Sequence, residues 1–179
     1  MSDIAKTLIG RKFDQICFVV DDIEAAIEKW KKINGVEVWN VAYDLAKEQT
    51  EKEYRGQPGD FQFSCAYGFA GDTLIELARH DGGRSVYQDW KDEHGCGPHH
   101  VGFRQTSAEE YEQAVGHYQE LGLEKAMAGF FQGPFGNCRW SYWDTRAQIG
   151  CYTELYYVDG ELGARMDALR RGENVSITS

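Results

Sequence analysis

The chain of 179 residues contains no long apolar run, no cluster of basic residues and no Cys-x-x-Cys pair. A transmembrane helix needs about 20 consecutive apolar residues, and no run approaches that length. The opening residues, MSDIAKTLIGRKFDQ, are polar and lack the apolar core of a secretory signal. We therefore expect neither a membrane partner nor a signal peptide.

Basic residues are also scarce. The 19 Lys and Arg against 29 Asp and Glu give a net charge of −10. They are scattered along the chain, whereas binding to nucleic acid or to an anionic membrane requires a concentrated basic face. We therefore expect no nucleic acid among the partners of this protein.

Cysteines are few, and their number is odd. The five lie at positions 17, 65, 96, 138 and 151. An odd set without paired spacing is typical of reduced thiols, which predicts a cytoplasmic protein.

The two halves of the sequence show the same order of predicted elements. In the first half, residues 13–20 predict a strand, and the spacing of apolar residues over 23–33 predicts a helix. In the second half, residues 99–105 predict a strand, and Ser107 with Glu110 forms a capping box that begins a helix. Three further strand-like runs follow each helix: 36–43, 61–70 and 73–79, then 124–131, 137–144 and 150–157.

Each half is therefore a βαβββ module, and together they predict an α+β fold. We expect the first module at residues 10–80 and the second at 98–158. Residues 81–97 form a linker with a short helix, and residues 159–179 form a C-terminal helix and tail.

Two segments lie outside this repeat. Residues 44–60 are polar and charged and contain Gly56, Pro58 and Gly59, so they predict an excursion or a flexible loop. Residues 160–171 predict a surface helix.

Strand alternation places one polar residue of each first and last strand on the same face. Neighbouring residues of a strand point to opposite faces. The first module thus contributes Gln15 and Glu76 to a concave face, and the second contributes His100 and Glu154. The same alternation places His99 on the opposite, core-side face.

Two buried carboxylates repel each other, and a divalent cation removes that penalty by supplying the charge that both need. One imidazole nitrogen and three oxygens suit zinc, nickel, cobalt, manganese or iron. A closed structural zinc site prefers four Cys or His ligands. Gln15, Glu76, His100 and Glu154 therefore predict an open, functional metal site.

At these residues the sequence resembles the vicinal oxygen chelate superfamily, which includes glyoxalase I, methylmalonyl-CoA epimerase, extradiol dioxygenases and bleomycin-resistance proteins. The stretch DQICFVVDDIEAAIEKW resembles the opening strand and helix of that superfamily. The stretch IELARHDGGRSVYQDWKDEHGCGPHHVGF is similar to the epimerase-like branch. The resemblance implies paired βαβββ modules in a cup-shaped, partly closed mixed sheet around a metal, and often a homodimer.

Carried onto this chain, the metal positions of the superfamily fall on the same four residues. The epimerase branch usually has His where this chain has Gln15. The set Gln, Glu, His, Glu instead resembles some glyoxalase I enzymes.

The resemblance and the ligand set favour a metal-dependent lyase or isomerase. We expect the metal to bind a carbonyl or thioester substrate and to stabilise an enolate, while Glu154 first and Glu76 second act as the base. Four further side chains are candidates for substrate binding: Arg104, Trp140, Tyr152 and Tyr156.

The sequence leaves two other functions open. A non-catalytic small-molecule binding or resistance protein of the same fold would need no metal. An extradiol-type dioxygenase would require iron, and its site usually has two His ligands where this chain offers one.

Overall fold

Ten strands form a single mixed sheet in this computed structural model, which describes residues 9, 10 and 12–177. The strand order across the sheet is β2-β5-β6-β1-β7-β10-β9-β8-β3-β4. The strands are β1 Phe13–Val19, β2 Trp39–Ala42, β3 Gln49–Tyr54, β4 Gln57–Pro58, β5 Gln62–Ala70, β6 Thr73–Gly82, β7 Gly97–Gln105, β8 Lys125–Gly133, β9 Gly136–Trp143 and β10 Tyr152–Val158.

Five α-helices and one 3-10 turn connect the strands within the described part of the chain. They are α1 Ile23–Asn34, the 3-10 turn Leu45–Glu48, α2 Val86–His94, α3 Ala108–Glu120, α4 Arg146–Ile149 and α5 Leu162–Arg170.

The two halves of the sheet are built alike. In the first half β1 pairs with β6 in parallel, and in the second β7 pairs with β10 in parallel. The halves join where β1 and β7 pair in antiparallel orientation. The sheet curls into a half-barrel, which confirms the expected α+β fold of two βαβββ modules. Both modules belong to one chain, so the cup is complete without a second copy.

Helices α1 and α3 cover the outer face of the sheet at equivalent positions. The side chains of Ile23 and Ile27 pack in one apolar cluster with Leu77. The equivalent cluster under α3 contains Tyr111 and Leu155. These contacts leave the inner face of the central strands free for the polar residues.

Polar side chains cap the start of both outer helices, as the sequence predicted for Ser107. Asp22 caps α1 by accepting a hydrogen bond from the Ala25 N–H at 2.9 Å, and Gly35 ends the helix at φ 68°. Ser107 caps α3 by accepting from the Glu110 N–H at 3.1 Å. Local sequence therefore fixes where each outer helix begins.

Residues 44–60 are not the flexible loop that their composition predicted. After the 3-10 turn, β3 pairs with β8 of the second module and β4 folds back onto β3. Charged residues are typical of strands at a sheet edge, where one face meets solvent. The segment is anchored by the buried side chains of Leu45 and Gln49.

The C-terminal helix is also not the surface helix that was expected. Leu162, Met166 and Leu169 are buried, and their spacing places them on one face of α5. Farther along, the Asn40 side-chain amide donates to the carbonyl of Val175 at 3.3 Å. The segment from α5 to Ile177 thus packs against the interior of the cup.

The module limits themselves stay predictions, and residues 178 and 179 of the predicted tail lie outside the described residues. Across the described helices, none combines the length and apolar character needed to cross a bilayer. All five cysteines are free thiols in the structure.

Candidate metal centre

Four polar side chains converge on the inner face, one from each of the adjacent strands β6, β1, β7 and β10. The Gln15 Nε2 atom lies 2.8 Å from Glu76 Oε2, 2.7 Å from Glu154 Oε2 and 2.9 Å from His100 Nε2. His100 Nε2 lies 3.2 and 3.3 Å from the same two carboxylate oxygens. All four residues are buried. The structure thus brings together the four residues that strand alternation selected.

The donor atoms are spaced as ligands of one cation would be. Ligand atoms about 2.0–2.1 Å from an ion and at right angles to each other lie about 2.9 Å apart. The five distances here, from 2.7 to 3.3 Å, span that value. The Gln15 amide nitrogen faces two carboxylate oxygens and His100 Nε2, and Nε2 can accept from it only when it carries no proton. Rotation of the amide by a half-turn presents its oxygen, which is a metal ligand.

The electrostatics of the centre also favour a positive charge at its middle. Burial lowers the pKa of His100, but hydrogen bonds with Glu154 and Glu76 outweigh burial and raise this pKa to about 9. Burial raises the pKa of Glu76, but the hydrogen bond from His100 prevails and lowers it. Burial raises the pKa of Glu154 to about 7, against the opposing hydrogen bond from His100. A proton on His100 Nε2 and a divalent cation would therefore compete for one position.

A glycine makes room for the Gln15 side chain. Gly102 of β7 pairs with Gln15 on one side and with Glu154 on the other. A Cβ atom at Gly102 would lie 2.7 Å from the Gln15 Cβ and 3.2 Å from its Cδ. Glycine within a strand often marks such a close approach. Gly102 was not among the predicted site residues, although its place in the strand two residues after His100 was a signal.

The expected position of His99 is wrong. A β-bulge in β7 lies opposite Cys17, because Cys17 pairs with His100 whereas Phe18 pairs with Pro98. A bulge places two residues opposite one and breaks the alternation of faces. The imidazole rings of His99 and His100 therefore lie 5.1 Å apart, with their Nδ1 atoms 2.9 Å from each other.

The hydrogen bonds of His99 determine which nitrogen of His100 faces the centre. His99 Nε2 lies 3.2 Å from the carbonyl oxygen of Val86, which can only accept. Burial holds the pKa of His99 well below its ordinary value, so the ring is neutral and its Nδ1 is an acceptor. His100 must therefore donate from Nδ1, which leaves Nε2 for a metal. Cys17, His99 and His100 also group closely, but both His99 nitrogens are already engaged.

A cavity of about 90 Å³ lies above the centre. Its floor includes Gln15, Glu76 and Glu154. Two predicted substrate-binding residues, Trp140 and Tyr156, line it.

The other two predicted substrate-binding residues lie elsewhere. Tyr152 is buried beside His99, with ring centroids 5.0 Å apart. Arg104 lines a separate groove, and its Nη1 atom lies 3.9 Å from Asp167 of α5. The same strand faces extend past the cavity, so alternation alone cannot tell its lining from its surroundings.

The model of the glyoxalase/bleomycin resistance protein/dioxygenase superfamily matches residues 14–142. The chain belongs to this superfamily. The matched range contains Gln15, Glu76 and His100, while Glu154 follows it on β10. No curated protein sequence matches the chain significantly.

Solved structures share the fold of this superfamily member. Methylmalonyl-CoA epimerase from Mycobacterium tuberculosis aligns with a TM-score of 0.56 and 17% identity, over 88% of this chain and 93% of that chain. A Streptomyces coelicolor methylmalonyl-CoA epimerase variant in complex with 2-nitronate-propionyl-CoA aligns with a TM-score of 0.54 and 17% identity, over 82% of this chain and 96% of that chain. A hypothetical protein from Bacillus halodurans aligns with a TM-score of 0.57 and 16% identity, over 82% of this chain and 93% of that chain. These similarities establish the vicinal oxygen chelate fold.

Proposed function

We propose that the protein is a metal-dependent isomerase or lyase, glyoxalase- or epimerase-like, that moves a proton next to the carbonyl of a ketone or thioester. The observation that carries this proposal is the convergence of two carboxylates, an imidazole and an amide, of which the carboxylates and the amide line a cavity. Gln15, Glu76, His100 and Glu154 would hold the divalent cation. When bound, the cation supplies a Lewis acid that stabilises enolate charge.

Glu154 is the proposed base. Its carboxylate borders the cavity, where it can reach a proton next to the carbonyl of a bound substrate. Glu76 is the second candidate because it also borders the cavity. Gln15 carries no ionisable group, so its role is to bind and orient. The apolar walls exclude water from the proton that is transferred.

Exchange of the α-protons of acetoin and of methylmalonyl-CoA with deuterated water tests this proposal. We expect exchange with the metal-loaded protein and a loss of about 100-fold or more in Glu154→Gln. Glu120→Gln, at an exposed position, is the matched control and should not change the rate. Undiminished exchange in Glu154→Gln would remove Glu154 from the role of base.

A non-catalytic binding protein of the same fold is the second candidate. The observation that favours it is the cover that Leu162, Met166 and Ile177 form over the cavity. Metal analysis separates the two functions, because a binder of this kind needs no metal. The expected homodimer stays a prediction, since one chain supplies the whole candidate centre.

A further inference from the structure

The walls of the cavity are apolar above its polar floor. Apart from Gln15, Glu76 and Glu154, the lining consists mainly of aromatic and aliphatic side chains from both modules. They include Phe63, Leu74, Phe131, Trp140, Tyr142 and Tyr156.

The polar atoms of several wall residues are already bonded to protein. Trp140 donates from Nε1 to Gln49 Oε1 at 2.8 Å. The Tyr156 hydroxyl donates to both carboxylate oxygens of Asp14, at 2.9 and 3.0 Å. The Tyr142 hydroxyl lies 2.7 Å from that of Tyr87. At these three residues the wall therefore offers a ligand ring faces rather than hydrogen bonds.

No positive side chain lines the cavity within the described part of the chain. Its charged residues are Glu76 and Glu154, both acidic. A buried carboxylate or phosphate without a partner carries a large desolvation cost. One divalent cation balances the two glutamates, so it leaves no spare charge for an anionic group of the ligand.

The cavity is covered and small. Helix α5 contributes Leu162 and Met166 to the side opposite the floor, Ile177 follows, and Leu45 comes from the segment before β3. A cavity of about 150 Å³ binds benzene, whereas this one measures about 90 Å³. It therefore fits a ligand of roughly half a dozen non-hydrogen atoms, and a nucleotide tail is too large to lie within it.

We propose that the site takes a small, neutral, largely apolar carbonyl compound in preference to an acyl-CoA thioester or a carboxylic acid. This inference rests on the proposed function for the carbonyl group of the ligand. The size, neutrality and apolar character of the ligand are inferred from the cavity. It separates this chain from the epimerases whose structures hold CoA compounds.

Binding of acetoin, lactate and acetyl-CoA to the metal-loaded protein tests the inference by ligand-detected NMR. Acetoin and lactate have the same number of non-hydrogen atoms and differ in a methyl ketone against a carboxylate. We expect acetoin to bind at least about tenfold tighter than lactate, and acetyl-CoA not to compete with it. Equal or tighter binding of lactate or acetyl-CoA would overturn the inference.

A positive charge introduced at Met166 tests the same inference, because it should improve the binding of an anionic ligand. In Met166→Lys we expect the preference for acetoin over lactate to fall by about tenfold, because the new ammonium pairs with the carboxylate. Met166→Gln is the uncharged control of similar length and should keep the wild-type preference. An unchanged preference in folded Met166→Lys would count against the inference, and the wild-type comparison decides it if this variant does not fold.

The inference and the proposed function fail in different ways. Acetoin that binds selectively but never exchanges its α-proton would contradict the proposed function and leave the inference standing. Exchange of methylmalonyl-CoA protons together with tight acetyl-CoA binding would support the function and overturn the inference.

Discussion

The Nδ1 atom of His100 lies 2.9 Å from the Nδ1 atom of His99, inside a buried cluster of aromatic rings. His99 donates the hydrogen on its Nε2 atom to the Val86 carbonyl, so two hydrogen bonds in series connect Val86, His99 and His100. This series of hydrogen bonds leaves His100 Nε2 facing Glu76 and Glu154. We therefore expect His99 to act as a positioning residue for the proposed metal centre.

Substitution of His99 should weaken metal binding when the new side chain cannot accept the hydrogen bond from His100 Nδ1. In His99→Phe we expect zinc affinity to fall about 10–100-fold, as is typical when the partner of a ligand histidine is lost. His99→Asn keeps an oxygen close to the former Nδ1 and should retain most of the affinity. Calorimetry measures the affinity, and NMR of the zinc-loaded protein reports the His100 Nδ1 proton. If both variants bind zinc like the wild type, the positioning role is wrong.

Gly102→Ala should disturb the centre through Gln15. The added Cβ would lie 2.7 Å from the Gln15 Cβ, so we expect about 1–3 kcal/mol of lost stability together with weaker metal binding. Gly116→Ala, in the middle of α3, is the matched control because its Cβ meets no atom within 4 Å. That change should leave metal binding intact and stabilise the fold by about 0.5–1 kcal/mol. Urea denaturation and metal titration of both variants check the contrast, and equal effects would contradict it.

The cover formed by α5 should contribute to the stability of the whole domain. Leu169 is 2% exposed, so Leu169→Ala should cost about 2–5 kcal/mol in the free energy of unfolding. Leu121→Ala makes the same chemical change at a position that is 52% exposed and should cost about 0.5 kcal/mol or less. A Leu169→Ala variant as stable as Leu121→Ala would mean that α5 packs only loosely on the cup.

Sequence patterns with a clear period predicted most of the fold. The order of strand and helix in each half and the cap at Ser107 depend on local signals, and both are present. Alternation also placed Gln15 and its three partners on one face. These features follow from neighbours along the chain.

Features that depend on tertiary contacts could not be predicted from local sequence patterns. The pairing of β3 with β8 joins residues about 80 positions apart, and the charges of β3 concealed its strand character. The bulge at His99 shifts one strand by one residue, which a strict two-residue period cannot represent. The inward face of α5 became recognisable only when the cup beneath it was known.

The metal content of the protein tests the central claim most directly. Elemental analysis after loading and dialysis should find one divalent ion per chain in the wild type. It should find none in the combined variant Glu76→Gln, His100→Gln, Glu154→Gln, with circular dichroism confirming that the variant is folded. A wild-type protein that retains no ion, or a folded variant that retains as much as the wild type, would contradict the account.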